Sequence, residues 1–454
     1  MLSIIPDIYF RGEIHMKILL ESKYFLIQIV VTLIFIVCFA MGTSVQAENI
    51  LLLTLPIIMA GHGHSGGGTV GGGTGGSGTG GGTSPPATGD YVVIAWNDLG
   101  MHCIDESFED FGLLPPYNTL VAQVIKRGKE PKIVTRGLKV TYRILDNTSS
   151  DTKTDFWDFA GQLFGVSLAS NMGLAGFGLQ GSMRAEQDSF IAEGIPLTPF
   201  SDSAPGVPAP YQIAEIKVFD SQGNKLAATR TVAPVSTEIT CNACHDDRGK
   251  ANPGIATGVV KRNILTLHDQ KEGTSLMANR PILCANCHAS AALNKPGKAG
   301  LPSLSKAMHG KHRKIDDGTM AGTCYRCHPG AQTRCLRGIM FQKGASCQDC
   351  HGNLQDLASS SRRPWIDEPR CGQCHDSAYS QPANTLYRFS RGHHGVFCQA
   401  CHGSQHAIYP TVNPEDNAQS IRLQGHGGTI DTCRVCHTND PDAGEGPHGG
   451  GSDD

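Results

Sequence analysis

Seven copies of the pattern Cys-x-x-Cys-His lie between residues 241 and 437. The two thiols of such a pattern can add to the two vinyl groups of a haem, and the adjacent histidine can bind the iron as proximal ligand. In chain order the copies are motif 1 (Cys241, Cys244, His245), motif 2 (Cys284, Cys287, His288), motif 3 (Cys324, Cys327, His328), motif 4 (Cys347, Cys350, His351), motif 5 (Cys371, Cys374, His375), motif 6 (Cys398, Cys401, His402) and motif 7 (Cys433, Cys436, His437). The pattern predicts seven covalently bound haem c groups, each containing one iron.

Two other interpretations of paired cysteines compete with haem. Cys-x-x-Cys pairs can hold zinc in a tetrahedral site, and one such pair near a βαβ pattern is typical of a dithiol redox site. Neither kind of site requires a histidine directly after the second cysteine, and a dithiol site needs only one copy. The histidine that follows all seven pairs therefore favours haem.

The second axial ligand of each iron must come from outside the motifs. Between residues 238 and 439 seven further histidines match the seven motifs in number, and we expect them to be the distal ligands: His268, His309, His312, His393, His394, His406 and His426. Two imidazoles on every iron would leave no position for a substrate. Four methionines are the less favoured alternative: Met277, Met308, Met320 and Met340.

Two pairs among these histidines carry a geometric expectation. His309 and His312 lie about one helical turn apart, so one helix face could offer them to two neighbouring haems. His393 and His394 are adjacent and must diverge, so at most one of them would serve any given haem.

The segment before the motifs has the residue pattern of β-strands, and the domain that these strands form must help to position the motifs. Runs rich in β-branched and aromatic residues predict strands over residues 91–96, 119–125, 138–145, 211–219 and 226–232. The last two strands flank a Gly- and Asn-containing loop, and apolar residues at helical spacing predict a helix over residues 155–164. We expect residues 91–237 to form an all-β, sandwich-like domain with one inserted helix.

Residues 238–439 have a different character. Gly, Pro, His and Cys interrupt every apolar run, so little aliphatic material is left to build a core. We therefore expect a haem-packed, mostly irregular domain with short helices, in which the cofactors replace an aliphatic core. The near-even spacing of motifs 3 to 6 predicts a compact run of haems packed edge to edge.

The N-terminus has the pattern of a secretory signal peptide over residues 1–47. Lys17 and Lys23 are followed by an apolar run over residues 24–41 and a small-residue stretch that ends at Ala47. An uncleaved membrane anchor is the alternative, because the apolar run is about 18 residues long. The pattern predicts export across the inner membrane to the periplasm, the outer cell surface or the medium.

Two further segments flank the predicted domains. Residues 48–90 comprise a short apolar stretch and a linker rich in Gly, Ser and Thr, in which we expect His62 and His64 to be solvated. Residues 440–454 predict a disordered tail. The formal net charge of −3 becomes more negative when haem propionates are added. The sequence lacks the stripe of basic residues that is typical of nucleic-acid-binding proteins, so we expect no nucleic-acid partner.

Two cysteines of the predicted mature chain lie outside the motifs. An oxidising compartment favours a disulfide between Cys103 and Cys335, while free buried thiols or a thiolate bound to iron remain alternatives. Such a disulfide would tie the β domain to the haem domain. His102, next to Cys103, is an eighth candidate ligand.

Several stretches of the chain resemble secreted multihaem c-type cytochromes of anaerobic, often metal-respiring bacteria: "CYRCHPGAQTRCLRG", "CQACHGSQHAIYP", "LQGHGGTIDTCRVCH", "AWNDLGMHC" and "PPYNTLVAQV". The resemblance runs from Tyr91 to His437. It implies electron transfer through bound haems, with other redox proteins or extracellular acceptors such as metal oxides as partners. We expect no catalytic residue, because the predicted β domain has no convergent set of acid, base and nucleophile.

Two alternatives stay open beside electron transfer. The first is an enzyme with one substrate-binding haem, of the nitrite, hydroxylamine or tetrathionate class. The pentahaem nitrite reductases have lysine in place of the histidine in one motif, whereas all seven motifs here keep histidine, which makes this alternative weaker. The second is a subunit of a conducting cytochrome filament formed by self-association.

Overall fold

The structure is a computed structural model that describes residues 89–359, 362–376, 379–441 and 448. The predicted signal peptide, the linker up to residue 88 with His62 and His64, and most of the predicted tail lie outside the described residues. Within the described part, no helix combines the length and the apolar character needed to cross a membrane.

The described chain contains twelve strands and nine α-helices. The strands are β1 (Tyr91–Asn97), β2 (His102–Cys103), β3 (Phe111–Gly112), β4 (Asn118–Lys126), β5 (Lys132–Ile133), β6 (Lys139–Ile144), β7 (Gln180–Ser182), β8 (Arg184–Ala185), β9 (Phe190–Ile195), β10 (Tyr211–Phe219), β11 (Lys225–Ser236) and β12 (Ile282–Leu283). The helices are α1 (Phe156–Phe164), α2 (Asn242–His245), α3 (Val260–Glu272), α4 (Leu304–His312), α5 (Ile339–Gln342), α6 (Cys347–His351), α7 (Leu354–Leu357), α8 (Cys398–His402) and α9 (Pro414–Gln424).

Single 3₁₀ turns complete the secondary structure of the second half. They cover Leu276–Asn279, Cys284–Asn286, Arg313–Ile315, Cys324–Arg326, Cys371–Gln373, Tyr387–Phe389, His393–Gly395 and Cys433–Val435. Apart from α3, α4 and α9, the helical elements after residue 238 are no longer than five residues. The predicted short helices of this region are therefore confirmed.

All five predicted strands and the predicted helix are present, as β1, β4, β6, β10, β11 and α1. In β10 every second side chain is buried, from Gln212 to Val218. This period of two is the pattern of a strand with one face on a core. The remaining strands were not predicted, because most are two or three residues long and β9 lacks a clean alternation.

Two five-stranded sheets share one apolar core. The first has the order β1-β4-β9-β8, with β5 on β4, and the second has the order β2-β11-β10-β6-β7. Val93 and Leu120 of the first sheet pack in the same buried cluster as Ile144, Ile216 and Val235 of the second. The β-rich character expected for residues 91–237 is thus confirmed.

The first sheet is buried on its other face as well. Val92, Ile94 and Trp96 of β1 form a second cluster with side chains from beyond residue 395, among them Phe397 and Val435. The rings of Trp96 and Phe397 lie 5.4 Å apart. Consequently the C-terminal part of the chain covers a sheet face that would otherwise be an exposed apolar patch.

Three buried glutamines fix the C-terminal segment to the first sheet. Gln123 accepts a hydrogen bond from the Phe397 N–H (3.0 Å) and donates to the Gly395 carbonyl (3.1 Å). The Gln399 carbonyl accepts from the Trp96 indole N–H (3.1 Å). These side-chain amides form hydrogen bonds with groups that would otherwise be buried and unpaired. They therefore determine which residues of the C-terminal segment lie against which residues of the sheet.

The third glutamine, Gln419 of α9, pairs with the backbone of the edge strand β1. It accepts from the Ala95 N–H (2.9 Å) and donates to the Ala95 carbonyl (2.8 Å). The Thr229 hydroxyl of β11 donates to the same Gln419 oxygen (2.9 Å). The side chain therefore takes the place of a neighbouring strand at this edge.

A smaller cluster joins the β-rich part to the second motif. β3 pairs in parallel with β12, which leads directly into Cys284. Phe108 and Phe156 pack there against Leu283 and Ala285. Motif 2 is therefore held at the end of a short strand that belongs to a two-stranded sheet of its own.

Candidate functional site

All seven motifs fold into a short helical turn, which is 3₁₀ in motifs 2, 3, 5 and 7 and α-helical in motifs 1, 4 and 6. In five of them a backbone hydrogen bond from the histidine N–H to the first cysteine carbonyl closes the turn: motif 1 (2.9 Å), motif 2 (3.0 Å), motif 3 (2.9 Å), motif 5 (2.9 Å) and motif 7 (2.9 Å). Motifs 4 and 6 form the short helices α6 and α8. This turn brings the two thiols and the imidazole of each motif to neighbouring positions on one helical turn.

Five motif histidines face a second histidine from elsewhere in the chain. The ring centroids are separated by 6.2 Å in His245–His312, 6.4 Å in His288–His268, 6.2 Å in His328–His309, 6.3 Å in His351–His406 and 6.0 Å in His437–His393. All five second rings belong to the set of distal histidines predicted from the sequence. The five centroid distances fall between 6.0 and 6.4 Å, whereas the angles between the ring planes range from 15° to 77°.

Helix α4 supplies two of these second rings. Ser303 caps the helix by accepting a hydrogen bond from the Lys306 N–H (3.2 Å). One turn apart on this helix, His309 faces motif 3 and His312 faces motif 1. One short helix thus offers imidazoles to two different motifs.

Backbone carbonyls orient several of the rings through the Nδ1 atom. His309 Nδ1 lies 2.8 Å from the Ser305 carbonyl, and His312 Nδ1 lies 2.7 Å from the Met308 carbonyl. His288 Nδ1 contacts the Pro302 carbonyl (2.9 Å), and His437 Nδ1 contacts the Lys129 carbonyl (3.0 Å). A hydrogen bond of this kind fixes the Nδ1–H tautomer and leaves Nε2 free to bind a metal.

The loop that carries His406 is anchored by a buried ion pair. The His406 carbonyl accepts from the N–H groups of Arg337 (3.0 Å) and Gly338 (3.3 Å). The fully buried Arg337 side chain pairs with Asp416 through two contacts, of 2.5 and 2.8 Å, and donates to the Gly100 carbonyl (2.7 Å). The ring opposite motif 4 is therefore positioned from the interior of the molecule.

Motif 7 is held by the turn between β4 and β5. The Arg127 guanidinium donates to the Val435 carbonyl (3.2 Å), and the Thr438 N–H donates to the Gly128 carbonyl (2.8 Å). The segment that carries His393 is fixed nearby, because Gln123 of β4 bonds to both Gly395 and Phe397. The first sheet thus positions both imidazoles at this motif.

Three other candidate histidines do not face a motif histidine in the described part of the chain. The only ring contact of His394 there is with His393, at 4.8 Å. His426 lies in contact with its own loop, with Nδ1 3.3 Å from the Gly427 carbonyl and Nε2 3.4 Å from Asp431. His102 lies with Nε2 2.9 Å from Asp98. The number of histidines in the sequence does not show which of them contact only their own loop and which face a motif histidine.

Motifs 5 and 6 differ from the other five. No ring of a described histidine faces His375, and four consecutive residues of motif 5, from Gly372 to His375, are exposed. His402 of motif 6 faces His448, with centroids 5.9 Å apart. His448 was not predicted, because the composition of residues 440–454 indicates only a disordered tail.

Electrostatics keep several of the paired rings neutral. Burial, and after it the neighbouring His406, lowers the pKa of His351 to about 4. Burial and then the neighbouring His312 lower the pKa of His245 below its usual value, and burial also lowers that of His309. Neutral imidazole is the form that binds metals, so these rings are in the required state at pH 7.

The cysteines of motifs 1, 3 and 4 approach one another. Burial, and then Cys241 and Cys244 of motif 1, raises the pKa of Cys327 in motif 3 to about 11. A hydrogen bond between the thiols of Cys324 and Cys347 lowers the pKa of the former and raises that of the latter. Motifs 1, 3 and 4 are therefore neighbours in space.

The series continues to motif 7. Burial comes first in raising the pKa of each thiol concerned, and a cysteine of the adjacent motif adds to it: Cys374 for Cys350, Cys371 for Cys398 and Cys401 for Cys436. Motif 2 lies at the other end of the series. After burial, the charge of the buried Asp105 contributes to the raised pKa of both Cys241 in motif 1 and Cys284 in motif 2. The seven motifs thus follow one another in the order 2, 1, 3, 4, 5, 6, 7.

The predicted disulfide is not present. Cys103 and Cys335 are free thiols, close enough for Cys335 to contribute, after burial, to the raised pKa of Cys103. Burial likewise raises the pKa of Cys335 to about 11. Burial thus disfavours the thiolate, the form from which a disulfide would form, at both positions of the folded protein.

One family model matches part of the chain. The model is described as cytochrome c554 and c-prime, and it covers residues 355–403, which include motifs 5 and 6. No curated protein and no solved structure matches the chain. The match agrees with the motif geometry, and together they support a c-type cytochrome that transfers electrons through covalently bound haem.

Proposed function

We propose that this protein is a secreted seven-haem c-type cytochrome that carries electrons between redox partners. The observation that carries the proposal is the set of five imidazole pairs. When two imidazoles bind one metal ion from opposite sides with bonds of about 2 Å, their centroids lie roughly 6 Å apart. The five measured separations, from 6.0 to 6.4 Å, fit a haem iron between the rings.

The residues that would hold each group follow from the motifs. Two cysteines of each motif form the thioether bonds, the motif histidine is the proximal ligand, and His268, His309, His312, His393 and His406 are distal ligands. When bound, each haem supplies a one-electron couple whose potential depends on axial ligands and burial. The protein supplies neutral, oriented imidazoles and a dense packing of the motifs.

The order of the motifs supports a conduit. In the order 2, 1, 3, 4, 5, 6, 7, each motif is linked to the next by a cysteine, or by the shared Asp105, that influences the pKa of a cysteine of its neighbour. Groups attached at these positions would be close neighbours throughout, so an electron could pass along the whole series. The signal sequence favours a conduit in the periplasm or at the cell surface, and we infer extracellular acceptors or other redox proteins as partners.

The test of this proposal is a haem count with a spin-state assignment. Mass spectrometry of the exported protein should show seven haems per chain. Electron paramagnetic resonance of the oxidised protein should show low-spin haem at the five paired motifs at least. Fewer than five low-spin haems in a fully loaded protein would contradict the proposal.

A second candidate function rests on motif 5. Among the described residues no imidazole faces His375, so an iron held there would have a position available to a small ligand. That position is what an oxidoreductase of the nitrite or hydroxylamine class would need. A high-spin signal of one haem that changes when nitrite or hydroxylamine is added would favour this function, and an unresponsive spectrum would favour the conduit alone.

A further inference from the structure

A histidine from the C-terminal segment lies opposite motif 6. The centroid of His448 is 5.9 Å from that of His402, and the two rings are inclined at 40°. The pair His351–His406 has nearly the same geometry, at 6.3 Å and 44°. The contact between His402 and His448 therefore belongs to the same class as the five pairs described above.

A second contact orients the ring of His448. Tyr379, four residues after the histidine of motif 5, packs edge-on against it with centroids 5.1 Å apart and an interplanar angle of 63°. The His448 imidazole is thus held between an aromatic ring on one side and the motif 6 histidine on the other.

We propose that His448 is the sixth ligand of the iron at motif 6 and that Tyr379 is a positioning residue for it. The inference rests on the proposed haem-binding function. It replaces His426, the sequence candidate in this part of the chain, whose two ring nitrogens contact its own loop. The site would bind one haem iron between two imidazoles, as at the paired motifs.

The proposed ligand differs from the others in its surroundings. His448 is exposed, whereas His406 is held by two backbone hydrogen bonds to its carbonyl. An exposed imidazole is more easily replaced by a competing ligand than one on a loop anchored in the interior. The iron at motif 6 should therefore be the first of the bis-imidazole irons to accept carbon monoxide in the reduced protein.

The experiment compares His448→Ala with the matched control His426→Ala in the full haem-loaded protein. We expect His448→Ala to keep its haem content and to convert one further haem from low spin to high spin. Free imidazole should restore the low-spin signal, and the reduced variant should bind carbon monoxide at that haem at a lower carbon monoxide concentration than the wild type does. His426→Ala should leave spin state and ligand binding unchanged.

A second variant protects the test against a folding defect. In His448→Met a thioether replaces the imidazole, so the haem should stay low spin while the potential of one haem rises. Tyr379→Phe should behave as wild type, and Tyr379→Ala should increase carbon monoxide binding. A wild-type spectrum and potential in both His448 variants would overturn the inference. That result would leave the proposed function intact, since the other low-spin haems would remain.

Discussion

The second imidazole of each pair lies outside its motif in sequence. His406 faces His351 and His393 faces His437, in each case from a separate segment of the chain. A substitution of this second ring therefore removes one proposed ligand and leaves the thioether attachment and the motif turn untouched. This separation makes ligation testable one residue at a time.

The two histidines of α4 provide the first test. We expect His309→Ala and His312→Ala each to convert one low-spin haem to high spin, with loss of the ligand at motif 3 in the first variant and at motif 1 in the second. The double variant should show the sum of the two changes, because different irons are affected. Electron paramagnetic resonance of the oxidised variants measures this.

Lys311, which lies between the two histidines in sequence, serves as the control. Its side chain is exposed and pairs with Glu272 at 2.6 Å. Lys311→Ala should therefore leave every haem low spin. If His309→Ala and His312→Ala changed the same haem, the assignment of α4 to two motifs would be wrong.

The buried thiols outside the motifs give a second test. Burial raises the pKa of both Cys103 and Cys335, so neither should react with an alkylating reagent in the folded protein at pH 8. After unfolding without a reductant both should be alkylated, as mass mapping of peptides would show. A disulfide-linked peptide pair under these conditions would contradict the free thiols of the structure.

At the scale of elements, side-chain amides join the β-rich part to the motif-bearing part. Gln123 and Gln399 each satisfy partners that lie across this junction. Their polar atoms are buried, so the loss of one amide leaves its partner unsatisfied. The position of motifs 6 and 7 consequently depends on residues of β1 and β4.

Substitution of Gln123 is the third test. In Gln123→Leu the Phe397 N–H and the Gly395 carbonyl lose their partner, which should lower the free energy of unfolding by about 1–3 kcal/mol. The loop with His393 should also loosen, so the spectrum of one haem should change. Gln162→Leu, at an exposed position of α1, is the matched control and should be close to neutral.

Calorimetry or denaturant unfolding of both glutamine variants measures the stability difference. Equal stability of Gln123→Leu and Gln162→Leu would show that the buried amide does not stabilise the junction.

The ion pair between Arg337 and Asp416 is the fourth test. Arg337→Ala leaves the Asp416 carboxylate buried without its partner, which should cost about 3–5 kcal/mol. Arg337→Met combined with Asp416→Leu removes both charges and should be markedly more stable than Arg337→Ala. The two unfolding free energies decide this, and the reverse order would contradict the account.

A strand could be predicted where the alternation of apolar and polar residues in its sequence matches the alternation of buried and exposed side chains in the fold. β10 alternates between buried and half-buried residues, and a period of two is visible in its sequence. β1 is also recognisable, but the burial of both its faces is not, because Phe397 and Val435 cover it from more than 300 positions away. Contacts of this range leave no periodic signal in either segment.

At the scale of the whole molecule, the seven motifs form one series. The cysteines of motif 4 lie between those of motifs 3 and 5. The series ends at motifs 2 and 7, both of which contact the β-rich part, through β3 and through the turn after β4. An electron that enters at one end would have to pass the middle of the series.

Removal of the haem at motif 4 is the fifth test. Cys347→Ala with Cys350→Ala should leave six haems and a void where little aliphatic packing exists. We expect slower electron equilibration along the protein and proteolysis near α6 and α7, while hydrogen exchange in β4 and β10 stays slow. The matched loss of an end haem, Cys433→Ala with Cys436→Ala, should slow equilibration less.

Normal protease resistance and unchanged electron equilibration in the motif 4 variant would contradict both the packing and the conduit.

The attachment residues could be predicted from sequence alone, since spacing and residue type define them. The distal partners could be predicted only as a set. Equal numbers of motifs and spare histidines suggested His426 as a ligand and gave no sign of His448. Which histidine reaches which motif depends on long-range packing, and an isolated histidine in a Gly-rich, acidic segment has no pattern that indicates a contact.

If the chain is exported as we propose, the contact of Gln419 with the edge of β1 has a consequence for the order of events during export. A chain that is threaded through a membrane from its N-terminus delivers β1 long before α9, so the backbone edge at Ala95 emerges with nothing beside it. Until residues 414–424 arrive, this edge can pair with any other extended chain. Among the described elements, the first strand to reach the new compartment is thus completed by the last α-helix, and slow haem attachment in between would prolong the interval in which the nascent protein is prone to aggregate.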